Sequence, residues 1–423
     1  MTHQSLKEKI LDKSAAVGVI GLGYVGLPLA TLVAKKGFRV TGFGRDAKKI
    51  NLLTEGISDI ESVEKKELRS LVAKGNIRFT HIDADQFALQ DIYIICVPTP
   101  VDQAKHPDLT AIADIARRLS LNLLNGKLII NESTVAPGTT REEFGDLGGT
   151  YLLACSPERV DPGNKEKSVR TITKIVGGVN KKSLDAAKSF YEMILDAPVI
   201  AVSSLESAEM VKMLENTYRA VNIALVNEFA RLTEKQGLDI VEIIEAAKTK
   251  WSFHAHYPSI GVGGHCIPVD PWYLVDFGRK HGVDLPVIEH GLKENEEMTE
   301  HVAQKVVSLY KPGMRVFLYG LTYKKDVKDL RESPVVRFGR ILLKHKVSFT
   351  VYDPLLRDDE IKALGFKLGK PENVDIFIVG TDHKSLTSDF KKVVNKQTIV
   401  VDGRNFFRIK VGKAVYGVGR ALL

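Results

Sequence analysis

The segment GVGGHCIPVDP, residues 261–271, puts a thiol in an unusual setting. Cys266 follows two glycines and a histidine, and two prolines and an aspartate come just after it. Gly263 and Gly264 let the backbone pass close to a ligand, and exposed amides in such a loop bind phosphate or sugar oxygens. A thiol carried there is placed as a nucleophile. It adds to an aldehyde to give a thiohemiacetal, which becomes a thioester once hydride is lost. A cysteine filling a tight turn is the bland alternative. The other two cysteines differ, because Cys96 in IYIICVP and Cys155 in YLLACSP lie in apolar runs where cysteine acts as a small hydrophobe. An odd, sparse set of three does not make a disulfide framework. His254, His256, His265 and Cys266 are close in sequence, but no CxxC or HExxH spacing accompanies them, so no metal is expected.

A nucleophile needs helpers. Lys212, Asn216 and Arg219 are spaced i, i+4, i+7, so on a helix they share one face, where lysine and asparagine can stabilise an oxyanion. The competing reading is a solvated polar stripe. Glu158, in the strand-ending turn SPER, is a candidate general base, and Thr134, after another strand, a candidate for positioning a water.

A second site precedes these. VIGLGYVGLP sets Gly21, Gly23 and Gly26 in a GxGxxG array after an apolar strand and at the start of a helix. That context is the one a dinucleotide requires, with a tight turn, close approach of the pyrophosphate, and helix amides to receive it. The acidic residue expected near position 44 to bind the ribose is missing. The strand ends instead in Gly44, Arg45 and Asp46. Glycine followed by arginine leaves room for a 2′-phosphate, and Asp46 is an alternative ribose ligand, so NADP stays open beside NAD.

The elements that must position these residues fall into three regions. Apolar runs at 17–23, 38–44, 91–100, 127–134 and 150–158 alternate with helical segments, the pattern of a parallel sheet covered on both faces. From about 204 to 236 the chain reads as one long helix stopped by Gly237. Met210, Met213, Leu214, Val221, Leu225 and Phe229 form its expected core-facing stripe. A second helical stretch runs over 286–310, after which strands return at 314–323, 347–354, 375–383 and 398–405. The expected fold is α/β, with two Rossmann-like doubly wound domains (1–203 and 312–423) joined by a long-helix central domain (204–311).

Composition narrows the partners. Sixty basic against fifty-two acidic residues leave a net charge of +8, but there is no basic tail and no aromatic-interleaved basic motif, so nucleic acid is not expected. An anionic small molecule fits better. No apolar run reaches membrane-spanning length, and the polar opening MTHQSLKEKILDKSAA lacks the core of a signal peptide. A cytoplasmic location without membrane attachment is the expectation.

Together GLGYVG, ESTVAPGTT, SPERVDPGN, AEMVKMLENTYRAVNIALVNE, GVGGHCIPVDP and GLTYKKDVKDLRESP resemble the UDP-glucose/GDP-mannose dehydrogenase family, most of all its UDP-N-acetylhexosamine 6-dehydrogenases. The six motifs run in order through all three regions. The resemblance implies an NAD-dependent enzyme that oxidises the C6 alcohol of a UDP-sugar to a carboxylate by two hydride transfers, for surface polysaccharide or glycan precursor synthesis. It makes Cys266 the catalytic thiol, Asp270 its paired aspartate, and Lys212 and Asn216 the oxyanion pair. Glu158 becomes the base for thioester hydrolysis, and Thr134 lies near the catalytic water. Arg331 in LRESP is expected at the cofactor pyrophosphate, with Tyr24, Val25, Pro98 and Thr99 completing the cofactor contacts. Tyr323 and Lys324 fall in the segment that binds the UDP-sugar, and Arg159, Val160, Arg219, His256 and Gly263 are further candidate substrate contacts. The resemblance also implies a homodimer or higher homo-oligomer, with the helical middle at the interface.

The sugar itself is read by pocket shape. GVGGHC followed by DPW resembles the N-acetylmannosamine enzymes, and SPERVDPGN resembles the N-acetylglucosamine enzymes. UDP-N-acetyl-D-mannosamine is the reading adopted, with UDP-N-acetylglucosamine and UDP-glucose as alternatives. A single-step hydroxyacid dehydrogenase shares the first domain and the lysine–asparagine helix but has no use for Cys266 or a second nucleotide-type domain. A catalytically silent nucleotide-sugar sensor would not need the set Glu158, Lys212, Asn216, Cys266 and Asp270.

Overall fold

The computed structural model describes residues 4–422 except 59, 103, 123–124, 161–167 and 370–371. The chain divides into two compact units, Met1–Glu215 with Trp272–His281, and Asn216–Pro271 with Gly282–Leu423.

The first unit is built on strands β1 (Ala16–Ile20), β2 (Arg39–Gly44), β3 (Ile77–His81), β4 (Ile92–Ile95), β5 (Leu128–Asn131), β6 (Leu152–Cys155), β7 (Lys174–Gly178) and β8 (Val199–Ala201). They lie in the order β3-β2-β1-β4-β5-β6-β7-β8. The pairing is parallel except between β6 and β7, which run antiparallel. The strand order reverses between β1 and β4, and ligands of such sheets bind beyond the carboxyl ends of the strands at that reversal. Successive side chains feed opposite cores. Val17, Val19, Ile92 and Ile94 join one buried cluster, while Ile20, Tyr93 and Ile95 join another. Both faces are apolar because helices cover both, which is why these strands read as continuous apolar runs.

The second unit has a five-stranded parallel sheet of β9 (Val316–Tyr319), β10 (Phe349–Tyr352), β11 (Ile376–Val379), β12 (Ile399–Asp402) and β13 (Ala414–Gly417). Its order is β10-β9-β11-β12-β13, again reversing at the first strand, and Val316 and Leu318 alternate with Phe317 and Tyr319 between two cores.

A continuous helix, Leu205–Gln236, spans the boundary between the two units. Gly237 ends it with φ +66°, a left-handed conformation that glycine takes without strain. The expected core-facing stripe is corrected here. Of its six residues only Met213 is buried; Leu214 is 65% exposed and Phe229 50%, and Met210 and Leu225 are exposed as well. The buried face carries Ala208, Ala220, Ala224 and Ala230 beside Met213. Small side chains let the helix sit close against its neighbours, and the large apolar ones are left on the opposite face. The helix Pro286–Leu309 follows, and Asp270–Lys280 is a further helix that the sequence reading did not assign.

Candidate functional site

The three glycines of the first turn have three different surroundings. Gly21 has φ +93°, and a Cβ there would lie 2.4 Å from the Cys96 carbonyl oxygen. Gly26 opens the helix Gly26–Lys35, and a Cβ on it would lie 1.9 Å from the Gly21 carbonyl oxygen, so helix and strand pack at a distance only glycine permits. Nothing lies within 4 Å of a Cβ built on Gly23. That open face is where a pyrophosphate can approach the amides. A cavity of about 430 Å³ continues from it, with Gly23, Gly44, Arg45, Asp46, Val97 and Pro98 among its walls. These residues fit a dinucleotide. Asp46 caps the helix Ala47–Thr54 with one carboxylate oxygen, Oδ1, which accepts the amides of Lys48 at 2.9 Å and Lys49 at 3.2 Å. Thr99 Oγ1 donates to the Thr134 carbonyl at 2.7 Å, and the Tyr273 hydroxyl donates to the Thr99 carbonyl. Thr99 and Thr134 are thus joined, through the threonine backbone at 134 and not its hydroxyl.

Glu158 lies just past β6 and is buried. Its Oε1 accepts the amides of Arg159 and Val160, each at 2.7 Å, and its Oε2 lies 3.5 Å from the Lys174 ammonium. Lys174 opens β7 and bonds Glu132 at 2.7 Å, and the Tyr191 hydroxyl closes on the other Glu132 oxygen. Two carboxylates therefore share one buried ammonium. Burial raises the Glu158 pKa, but Lys174, the two amides and Lys212 more than reverse this and hold it below the ordinary value. Glu132 accepts no backbone amide in this network. Burial pushes its pKa up to about 7 against the pull of Lys174. Of the two carboxylates Glu132 is thus the one that takes up a proton first, and Glu158 is the one held ionised, in the state a base requires. Lys212 is buried on the long helix, and Arg159 is tied elsewhere, to Glu215 at 2.9 Å and to the Thr173 carbonyl at 2.7 Å. The DPGN part of SPERVDPGN, 161–164, lies outside the described residues.

Sequence reasoning missed Glu132, Lys174 and Tyr191. The signal was present: NEST puts a carboxylate between two apolar strands, and KIVGG starts an apolar strand with lysine.

In the second unit, Cys266 is exposed on its loop. Its carbonyl accepts the amide of Asp270 at 2.9 Å, and the Asp270 carboxylate accepts Asn216 Nδ2 at 2.5 Å. Thiol segment, aspartate and long-helix asparagine are thereby brought together. The loop glycines serve packing as well as access. A Cβ on Gly264, whose φ is +84°, would meet the Tyr323 ring at 2.8 Å, and one on Gly263 would meet Pro334 at 2.5 Å. Tyr323 thus props the thiol loop. Gly264 donates its amide to the Arg331 carbonyl at 3.1 Å, while the Arg331 guanidinium forks onto Asp329 with its closest contact at 2.6 Å. The Lys324 carbonyl accepts the Thr322 hydroxyl at 3.1 Å. Burial and then the Arg331 charge lower the His265 pKa, keeping the residue beside the thiol neutral. His256 bonds the His254 carbonyl at 3.0 Å, and burial followed by the charge of exposed Arg219 lowers its pKa as well. Among the described residues no three His, Cys, Asp or Glu side chains are grouped to hold a metal, and no helix is long and apolar enough to cross a membrane.

Three descriptions of one family match the chain in sequence. They are the NAD-binding domain of the UDP-glucose/GDP-mannose dehydrogenase family over residues 15–195, its central domain over 206–297 and its UDP-binding domain over 317–409. A UDP-N-acetyl-D-glucosamine 6-dehydrogenase of Pseudomonas aeruginosa is 36% identical, with 90% of this chain and 92% of that protein covered. A UDP-N-acetyl-D-mannosamine dehydrogenase of Methanocaldococcus jannaschii is 35% identical, over 95% and 96% of the two chains. Among solved structures, a UDP-D-ManNAc dehydrogenase from Pyrococcus horikoshii superposes with a TM-score of 0.85 at 31% identity, covering 96% of this chain and 99% of that one.

Proposed function

Since the chain belongs to the UDP-glucose/GDP-mannose dehydrogenase family, we propose that it oxidises the C6 alcohol of a UDP-N-acetylhexosamine to the carboxylate through a covalent intermediate on Cys266. The observation that carries this reading is the Cys266–Asp270–Asn216 cluster, in which an exposed thiol segment is bonded to an aspartate and that aspartate to an asparagine. NAD is the cofactor of this reading; held at the Gly21–Gly26 turn and the cavity beyond it, it would supply the hydride acceptor for each of the two oxidations. The chain's own groups do the rest. Lys212 and Asn216 stabilise oxygen charge at C6. The Cys266 sulfur adds to the aldehyde carbon, giving a thiohemiacetal, and loss of the second hydride leaves a thioester. Glu158, ionised by its amides and Lys174, takes a proton from the attacking water, with Thr134 beside it. The acid then leaves and the thiol is restored. Holding the aldehyde on sulfur prevents its escape between the two oxidations.

UDP-N-acetyl-D-mannosamine is the substrate we favour, because relatives of that name match 90% and more of the chain; the N-acetylglucosamine relative makes its C2 epimer the alternative. Turnover of the two epimers and of UDP-glucose, followed by dinucleotide absorbance and product mass, tests this. The mannosamine epimer is expected to give the highest kcat/KM, and a clear preference for either other sugar overturns the assignment.

The exposed stripe Met210, Leu214, Leu225 and Phe229 suits a helix-to-helix contact between two copies, and a homodimer is the proposed assembly. Leu225→Glu with Phe229→Glu is expected to move the sedimenting species from dimer to monomer mass; an unchanged mass means that the stripe is not the interface.

A further inference from the structure

The geometry points to a 2′-phosphate subsite at the adenosine end of the dinucleotide site, so that NADP binds at least as tightly as NAD. This rests on the dinucleotide reading of the GxGxxG turn and extends it to a ligand group the family description does not include. In a sheet of this order the ribose of the adenosine lies at the carboxyl end of β2, where an acidic side chain takes both ribose hydroxyls and repels a phosphate. Here that end is Gly44.

Glycine at this point is not demanded by the fold. Gly44 is not among the positive-φ residues, and a Cβ on it would lie 3.5 Å or more from the Ile50 and Leu22 side chains, in ordinary contact. An aspartate would fit, and the chain lacks one. The next residue, Arg45, is exposed and lines the cavity, as does Lys49 one helical turn on. Of the two acids that line it, Asp46 commits one carboxylate oxygen, Oδ1, to its own helix cap, on the Lys48 and Lys49 amides at 2.9 and 3.2 Å. Asp114 is held by Arg117 at 2.9 Å and Arg118 at 2.8 Å. The strand end that an NAD-selective site makes negative carries no acid here, both cavity acids are engaged by their own helices, and Arg45 offers a guanidinium, the group best matched to a phosphate.

Calorimetry on the full chain with 5′-AMP, adenosine 2′,5′-bisphosphate, NAD and NADP tests this without turnover. The bisphosphate is expected to bind at least as tightly as AMP, and NADP at least as tightly as NAD. Arg45→Ala is expected to weaken the bisphosphate by roughly tenfold relative to AMP, the loss of one charge-assisted contact. Gly44→Asp is expected to reverse the preference towards AMP. Tight AMP with bisphosphate tenfold weaker overturns the 2′-phosphate subsite and leaves the dinucleotide site standing. Equal weakening of both ligands by Arg45→Ala overturns the role of Arg45. Failure of all four ligands to bind overturns the dinucleotide reading and the subsite with it.

Discussion

Cys266→Ser is expected to lower carboxylate production from the UDP-sugar by about a thousandfold or more, while the dinucleotide still binds. Serine keeps the shape of the side chain but not the nucleophile. A serine hydroxyl is a far weaker nucleophile towards an aldehyde than a cysteine sulfur, and no other cysteine substitutes for it, since Cys155 is buried in β6 and burial raises the Cys96 thiol well above its ordinary value. Cys266 is exposed, so the replacement is expected to change stability by no more than about 0.5 kcal/mol. Product mass spectrometry checks the outcome. Undiminished acid would mean that oxidation does not pass through this sulfur.

Lys174→Met is expected to destabilise the chain by about 3–5 kcal/mol, because it leaves two buried carboxylates facing each other with no cation between them. Lys174 and Glu132 are almost fully buried, with 3% and 0% of their side chains exposed, so solvent does not screen the loss. Guanidinium unfolding measures the effect. A loss below about 1 kcal/mol would mean that the carboxylates do not depend on this ammonium. The companion variant Glu132→Gln reads the proton. Glu132 has a pKa raised from 4.5 to about 7 in the fold. Its folded form therefore keeps a proton that the unfolded chain gives up earlier. That stabilisation is complete below about pH 4.5 and is lost as pH rises through about 7. Glutamine has no such titration, so the variant is expected to gain stability over the wild type across that window. A difference that does not vary with pH would place the proton elsewhere in the trio.

Much of this was legible in the sequence. The glycine turn, the long helix and its stop at Gly237 were all read from local chemistry, because glycine spacing and helical periodicity are written in neighbouring residues. Strands β3, β7, β8 and β13 were not. IRFTH and KIVGG carry charge, VIA is short, and each is held as a strand by its partners more than by its own pattern. The stripe on the long helix was recognised but assigned to the wrong face. Periodicity shows that Met210, Leu214, Leu225 and Phe229 lie together; it does not show which side the protein fills, and here alanines take the buried side. Cys266, Asp270 and Asn216 were named from sequence, and the hydrogen bonds that join them follow from tertiary structure. Glu132 and Lys174 were passed over because a lone charge in an apolar run acquires meaning only when its partner, 42 positions away, is placed beside it. Gly264 was read as an opening for a ligand, and the ring of Tyr323 now accounts for its lack of a side chain.

The most direct test of a thiol-held four-electron oxidation is the yield of reduced dinucleotide per UDP-sugar consumed, measured by absorbance at completion with the preferred sugar and cofactor. Two equivalents, with the uronate as sole product, are expected. One equivalent, with an aldehyde or keto sugar as product, would contradict the covalent route and return Cys266 to a structural role in its loop.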